Sequence, residues 1–176
     1  TVTAAFEDYN IATATRQVYD FFWDKYCDWY IELAKIYLTE TGNQSAAKAR
    51  VQAILIYILR GMLKLMHPLI PFITEELWQK VRPLIQLNEA PYLVLTSWPQ
   101  MRNEWLDDPA EQKMAILIAV INAIRNIRCE MDIHPKENVA LCLRIKNDNI
   151  QNMVCDNIDY IKHLTKADKI TVSADL

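Results

Sequence analysis

Two stretches of this chain carry bases and no acid. Residues 41–74 hold Lys48, Arg50, Arg60 and Lys64, and residues 112–128 hold Lys113, Arg125 and Arg128. Cationic side chains in such runs can contact phosphates, which position a nucleic acid without reading its sequence. Arg60 and Lys64 are four apart, and Arg125 and Arg128 three apart, so each pair shares a helix face. The same pattern fits interhelix ion pairs with Asp20, Asp24, Asp28 and Glu32. A second signal is aromatic. Tyr19, Trp23, Tyr26, Tyr30, Leu33 and Tyr37 recur at alternating steps of four and three. That spacing makes a docking stripe for a helix core, and secondarily a platform for unpaired RNA bases. Trp29 lies off the stripe and is the better candidate for an exposed, base-facing ring.

Other chemistry is thin. His67, His134 and His163 stand at no helical spacing from one another or from a cysteine. His67 precedes Pro68 at a helix end, where an imidazole can bond the last free carbonyls. Glu75 and Glu76 diverge by about 100° on a helix, so they read as charges at a helix start rather than an acid–base pair. Cys27, Cys129, Cys142 and Cys155 form no CxxC pair and no zinc spacing, and read as buried thiols in a reducing cytoplasm. The whole chain of 176 residues has two glycines, Gly42 and Gly61. Glycine-dependent phosphate loops and nucleophile elbows are therefore excluded. No catalytic, cofactor or metal site is expected within this stretch. The residues alone describe a binding or interaction module.

The elements that must carry these residues are long helices. A helical pattern runs from about Ala12 to Leu38 and closes at Gly42, a natural C-cap residue. A second helix spans about Ser45 to Met66, with Gly61 inside it marking close approach of a neighbouring helix. Pro68 and Pro71 force a break. Thr74 is then expected to cap a short helix ending near Pro83. Residues 91–99 look extended, with a possible short strand at 92–95. Asp107-Asp108-Pro109 opens a helix reaching about Met131, with Met114, Leu117, Ile118, Ile121 and Ile124 inward. Alternation over Val139, Leu141, Leu143 and Ile145 predicts a strand. A helix over about 150–164 and a second strand at 170–172 follow, favouring a parallel pair. The expected fold is mainly α: an antiparallel helical bundle over 1–133, then a small C-terminal α/β appendage over 134–176. The chain opens at Thr1 without a Met or a signal peptide, and reads as a piece of something longer. Its longest apolar run, Met114 to Ile121, is far short of a membrane span.

Three strings resemble one family. HPLIPFITEELW (67–78) resembles the helix–proline–helix junction in the anticodon-binding domains of the valine, isoleucine and leucine class I aminoacyl-tRNA synthetases. CDWYIELAK (27–35) and INAIRNIRCEM (121–131) are similar to the valine branch specifically. The resemblance implies a domain that holds the anticodon stem-loop of a valine tRNA, in a cytoplasmic, monomeric enzyme. ATP and magnesium would belong to the catalytic domain of the longer chain, and an editing domain is implied beside it. Neither the HIGH nor the KMSKS signature of that catalytic domain occurs here. A coiled-coil arm would follow Leu176. The family's Asn-Ala-(Ser/Ala)-Arg-Phe-like helix, which reads the anticodon, is absent from this sequence. What remains for tRNA contact is Trp29, Tyr30 and Leu33 around the pocket, with Lys35, Lys48, Arg50, Arg125 and Arg128 toward phosphates. The alternatives are the equivalent isoleucine domain, or a helical protein–protein module without RNA binding.

Overall fold

One continuous helical run begins at Ile11, where Asn10 accepts a hydrogen bond from Thr13 N at 3.1 Å. It comprises α2 (Ile11–Asp20), a π-helical segment (Phe21–Ile31) and α3 (Glu32–Thr39). A short α1 (Val2–Glu7) precedes it, capped by Thr1. Then come α4 (Ser45–Met66) and α5 (Pro71–Val81). The structure is a computed structural model, and it describes residues 1–39, 45–84, 89–134 and 137–173. The expected cap at Gly42 lies outside the described residues.

The proline break falls as the sequence requires, but α5 starts earlier than expected. Pro71 takes the first helical position, where a missing N–H costs nothing. Ile70, not Thr74, is the flanking cap residue, and Thr74 lies inside the first turn, 1 % exposed. Leu63 of α4 packs with Trp78 and Val81 of α5 and with Leu93 in a fully buried cluster. The expected strand at 92–95 is instead a 3-10 turn over Leu93–Leu95. Side chains of α5 satisfy backbone groups here: Leu93 N donates to Glu75 Oε2 at 2.9 Å, and Pro91 O accepts from Gln79 Nε2 at 2.7 Å. Gly61 does not mark a close approach, because a Cβ there would meet nothing within 4 Å.

The contacts divide the chain into two units, Thr1–Met101 and Arg102–Leu176. The long helix α6 (Asp108–Glu130) therefore groups with the strands, whereas the sequence pattern put it with the preceding helices. Asp107 caps α6 through Ala110 N at 2.9 Å. Leu117, Ile121 and Ile124 are buried as expected, but Met114 is 41 % exposed. In the same unit β1 (Val139–Arg144) and β2 (Ala167–Ser173) pair in parallel, with one irregularity after Val139. The helix between them is divided into α7 (Asp148–Asp156) and α8 (Ile158–Thr165). Asn157 makes the break: its Nδ2 donates to Met153 O at 2.8 Å, competing with the helix ladder. Among the described residues, no helix is long and apolar enough to cross a membrane.

Candidate functional site

The aromatic stripe is where sequence and structure part. A π-helix hydrogen-bonds i to i+5, so its wider turn shifts the phase of residues before it against those after it. Tyr26 stays in the core at 5 % exposure, while Tyr19 and Trp23 come out to 59 % and 51 %. Rings four apart lie over one another along the run. Tyr19 and Trp23 stack at 6.3 Å between centroids with planes 5° apart, and Tyr26 stacks on both Phe22 and Tyr30. Tyr26 also donates its hydroxyl to Leu55 O of α4 at 3.0 Å. Burial, then the neighbouring Cys27 and Tyr30, pushes this phenol up to about 12. Burial likewise raises Tyr30. Trp29 is half-buried with contacts of its own, so it is not the exposed ring expected. The open aromatic surface belongs to Tyr19 and Trp23, with Phe21 at 47 % exposure between them in sequence.

The acid-free stretch of α4 divides into two roles. Arg60 and Lys64 are both committed to Glu89: Arg60 Nη2 pairs with Oε1, and Lys64 Nζ lies 3.6 Å from Oε2. Lys64 also sits over the Trp78 ring, 5.8 Å from its centroid. The pairing was expected with Asp20, Asp24, Asp28 or Glu32, but Asp20 pairs with Arg16 and Glu32 with Lys35. Burial lowers the Lys64 ammonium pKa and the Arg60 charge adds to this, while Glu89 opposes it. Sequence reasoning missed Glu89, although it is the one acid between Glu76 and Glu104. Lys48 and Arg50 remain exposed on the first turns of α4. Two residues apart, they diverge by about 200° and do not share a face.

The proline junction proves to be architecture. His67 does not cap carbonyls as expected; its Nδ1 is 2.8 Å from Thr74 Oγ1. The same hydroxyl lies 2.9 Å from Ile70 O and 3.1 Å from Pro71 O, so the imidazole is tied through Thr74 to the first turn of α5. Glu75 binds Leu93 N and Gln79, so it is a clamp rather than a helix-start charge alone. Phe72 (91 % exposed), Tyr92 and Val94 line an open apolar cleft of about 420 Å³ beside these residues.

In the second unit the two arginines of α6 differ. Arg125 is exposed and donates to Leu164 O at 3.4 Å (Nε) and 3.3 Å (Nη2). Arg128 is only 7 % exposed, and its Nη2 donates to His134 O at 3.0 Å and Glu137 O at 2.8 Å. Arg128 is thus a tether for the segment after α6 rather than an outward phosphate contact. Both line a cleft of about 570 Å³ with Asp132, His134, Thr165 and Lys166. The eight candidates named from sequence therefore fall into two groups. Trp29, Tyr30, Leu33, Lys35, Lys48 and Arg50 lie in the first unit, and Arg125 and Arg128 in the second. Cys129, Cys142 and Cys155 are exposed and Cys27 half-buried, so the expectation of buried thiols fails. Among the described residues no cluster of His, Cys, Asp and Glu could hold a metal ion.

The family model described as "Anticodon-binding domain of tRNA ligase" matches residues 1–143. The valine–tRNA ligase of Lactobacillus acidophilus is 37 % identical over 175 residues, covering 99 % of this chain and 19 % of the relative. The valine–tRNA ligases of Listeria innocua and Geobacillus stearothermophilus are 34 % and 33 % identical, over 99 % and 100 % of this chain. The chain spans about a fifth of the length of these relatives, 19 % in each case.

Proposed function

From the premise that this chain belongs to the anticodon-binding domain family of tRNA ligases, we propose that it holds the anticodon stem-loop of a valine tRNA within a longer valine–tRNA ligase. The observation that carries the RNA contact is the stacked, solvent-exposed pair Tyr19 and Trp23. Unpaired loop bases stack on such rings, each worth about 1–3 kcal/mol. Trp29, Tyr30 and Leu33 support that surface from the same helical run. Lys35, Lys48, Arg50 and Arg125 supply exposed positive charge for the backbone. Lys35 already pairs with Glu32 at 2.5 Å, and Arg125 with a carbonyl, so Lys48 and Arg50 are the principal phosphate contacts. The gripping surface belongs to Thr1–Met101, while α6 folds with the strands in Arg102–Leu176. ATP, magnesium and the aminoacylation chemistry belong to the remainder of a cytoplasmic, monomeric enzyme.

The test is a fluorescence titration with valine tRNA at several salt concentrations. Affinity should fall steeply with salt. Lys48→Ala and Arg50→Ala should each reduce the log–log slope by about one. Trp23→Ala should weaken binding at every salt without changing the slope. Salt-independent association, or none, overturns the RNA reading in favour of a protein-docking module. Stronger binding of a tRNA carrying an isoleucine anticodon moves the assignment to the isoleucine enzyme.

A further inference from the structure

One string of the sequence is left unused by the tRNA grip: HPLIPFITEELW (67–78), which spans the proline junction and the start of α5. Part of it builds the core, since Thr74 and Trp78 are buried. Phe72 does not. It stands 91 % exposed in the first turn of α5, the most exposed aromatic ring among the described residues. Tyr92 and Val94, which line the same cleft from the turn that follows α5 in sequence, are 58 % and 69 % exposed. Single apolar side chains are ordinary on a surface, but an apolar patch rimmed by polar groups marks a docking site.

The walls of this cleft are fastened to each other by α5 side chains. Glu75 Oε2 accepts from Leu93 N at 2.9 Å, and Gln79 Nε2 donates to Pro91 O at 2.7 Å. His67 Nδ1 and Thr74 Oγ1, 2.8 Å apart, hold the end next to Pro71. The opening is thereby fixed before anything docks, which removes part of the ordering cost of association. Charge then selects the occupant. Among the described residues the lining carries two carboxylates, Glu75 and Glu76, and neither lysine nor arginine. Lys80 pairs with Glu76 at 3.0 Å, but both side chains are mostly exposed, so the pair is weak and exchangeable. A phosphate backbone meets repulsion here. A cationic side chain meets a carboxylate and aromatic rings together. A second copy docking face to face would set Glu75 and Glu76 against their own equivalents, carboxylate against carboxylate.

We propose that another segment of the same longer polypeptide docks in this cleft, presenting an arginine or lysine to Glu76 beside an apolar side chain that packs on Phe72 and Tyr92. This rests on the reading of the chain as part of a longer valine–tRNA ligase; the chain spans 19 % of the length of the Lactobacillus acidophilus relative. It does not require that tRNA be held. The contact gives the grip a fixed attachment to the rest of the enzyme.

Hydroxyl-radical oxidation read by mass spectrometry tests it, on the isolated chain and on the full-length protein that contains it. Phe72 and Tyr92 should oxidise several-fold more slowly in the full-length protein, at rates independent of protein concentration and of added valine tRNA. Phe72→Asp should not lower the urea midpoint of the isolated chain, because the ring stands in solvent there. In the full-length protein it should return Tyr92 to the rate of the isolated chain. Glu76→Lys should speed Phe72 oxidation in the full-length protein, and Glu76→Gln should do so less. Equal rates in the two proteins overturn the docking. So does protection in the isolated chain that grows with its concentration, which assigns the cleft to a second copy, or protection that needs tRNA, which assigns it to RNA. Unchanged protection in Glu76→Lys overturns the cationic occupant. Loss of salt-sensitive tRNA binding would sink the proposed function while leaving these oxidation rates as they are.

Discussion

Glu89 neutralises two cations at once, and its position explains why half of an apparently RNA-facing charge run is internal. The Arg60, Glu89 and Lys64 side chains are 20 %, 11 % and 9 % exposed. Their attraction therefore acts in a medium poorer than bulk water, and so does the penalty for losing a partner. Removing one member of a buried ion cluster leaves an uncompensated charge, at a cost of about 3–5 kcal/mol. These groups retain some exposure, and Arg60 Nε lacks a partner among the described residues, so Glu89→Gln should cost about 3 kcal/mol. Urea denaturation at neutral pH measures it. Replacing all three by apolar residues of similar size should recover most of the loss, since buried ion clusters are often no better than packed apolar side chains. A loss below about 0.5 kcal/mol in Glu89→Gln would class the cluster with ordinary surface pairs. In sequence Glu89 was an isolated acid with no helical spacing to either cation, so only folding could reveal it.

At the scale of elements, the sequence was read well wherever a residue acts locally. Asp107 and Pro109 start α6, and alternation marks β1. Gly61 shows the limit of that reading. A glycine in a helix costs about 1 kcal/mol against alanine, which invites a packing explanation. The space around it is open. Gly61→Ala is therefore expected to stabilise the protein by about 1 kcal/mol, seen as a higher melting temperature with tRNA affinity unchanged. Destabilisation would mean that a neighbour approaches Gly61 in solution. The π-helical segment was less legible. Its stripe has good α-helical spacing, and nothing in that spacing announces a wider turn. Stacking of Tyr19 on Trp23, and of Tyr26 on Phe22 and Tyr30, accompanies the turn and decides which rings face solvent.

At the scale of the whole molecule, a formal charge of −3 conceals a divided surface. Acid-free stretches lie in both units, yet most of their arginines are matched internally: Arg60 by Glu89, Arg125 by Leu164 O, Arg128 by two carbonyls. Only part of the positive charge counted along the chain is left for a polyanion. The near absence of glycine fits the proposed grip on a tRNA, and the chain spans 19 % of the length of the valine–tRNA ligase of Lactobacillus acidophilus. The chain by itself is therefore expected to give no valine-dependent ATP–pyrophosphate exchange. Any exchange by the pure chain would place a nucleotide site inside these 176 residues and overturn the domain reading.

The sequence by itself determined the helical class, the proline junction, the parallel strand pair and the family. Each of these rests on interactions within a few residues or on strings that persist along the chain. Caps, prolines and side-chain periods act on their own turn or strand, so they can be read without coordinates. Only the tertiary structure decided which candidate residues are available. It buried Arg128 and turned Tyr19 and Trp23 outward. It joined Arg60 and Lys64 to Glu89, and made Glu75 a clamp on Leu93. Desolvation and counter-charge depend on groups brought together from distant positions, and spacing along the chain does not encode them.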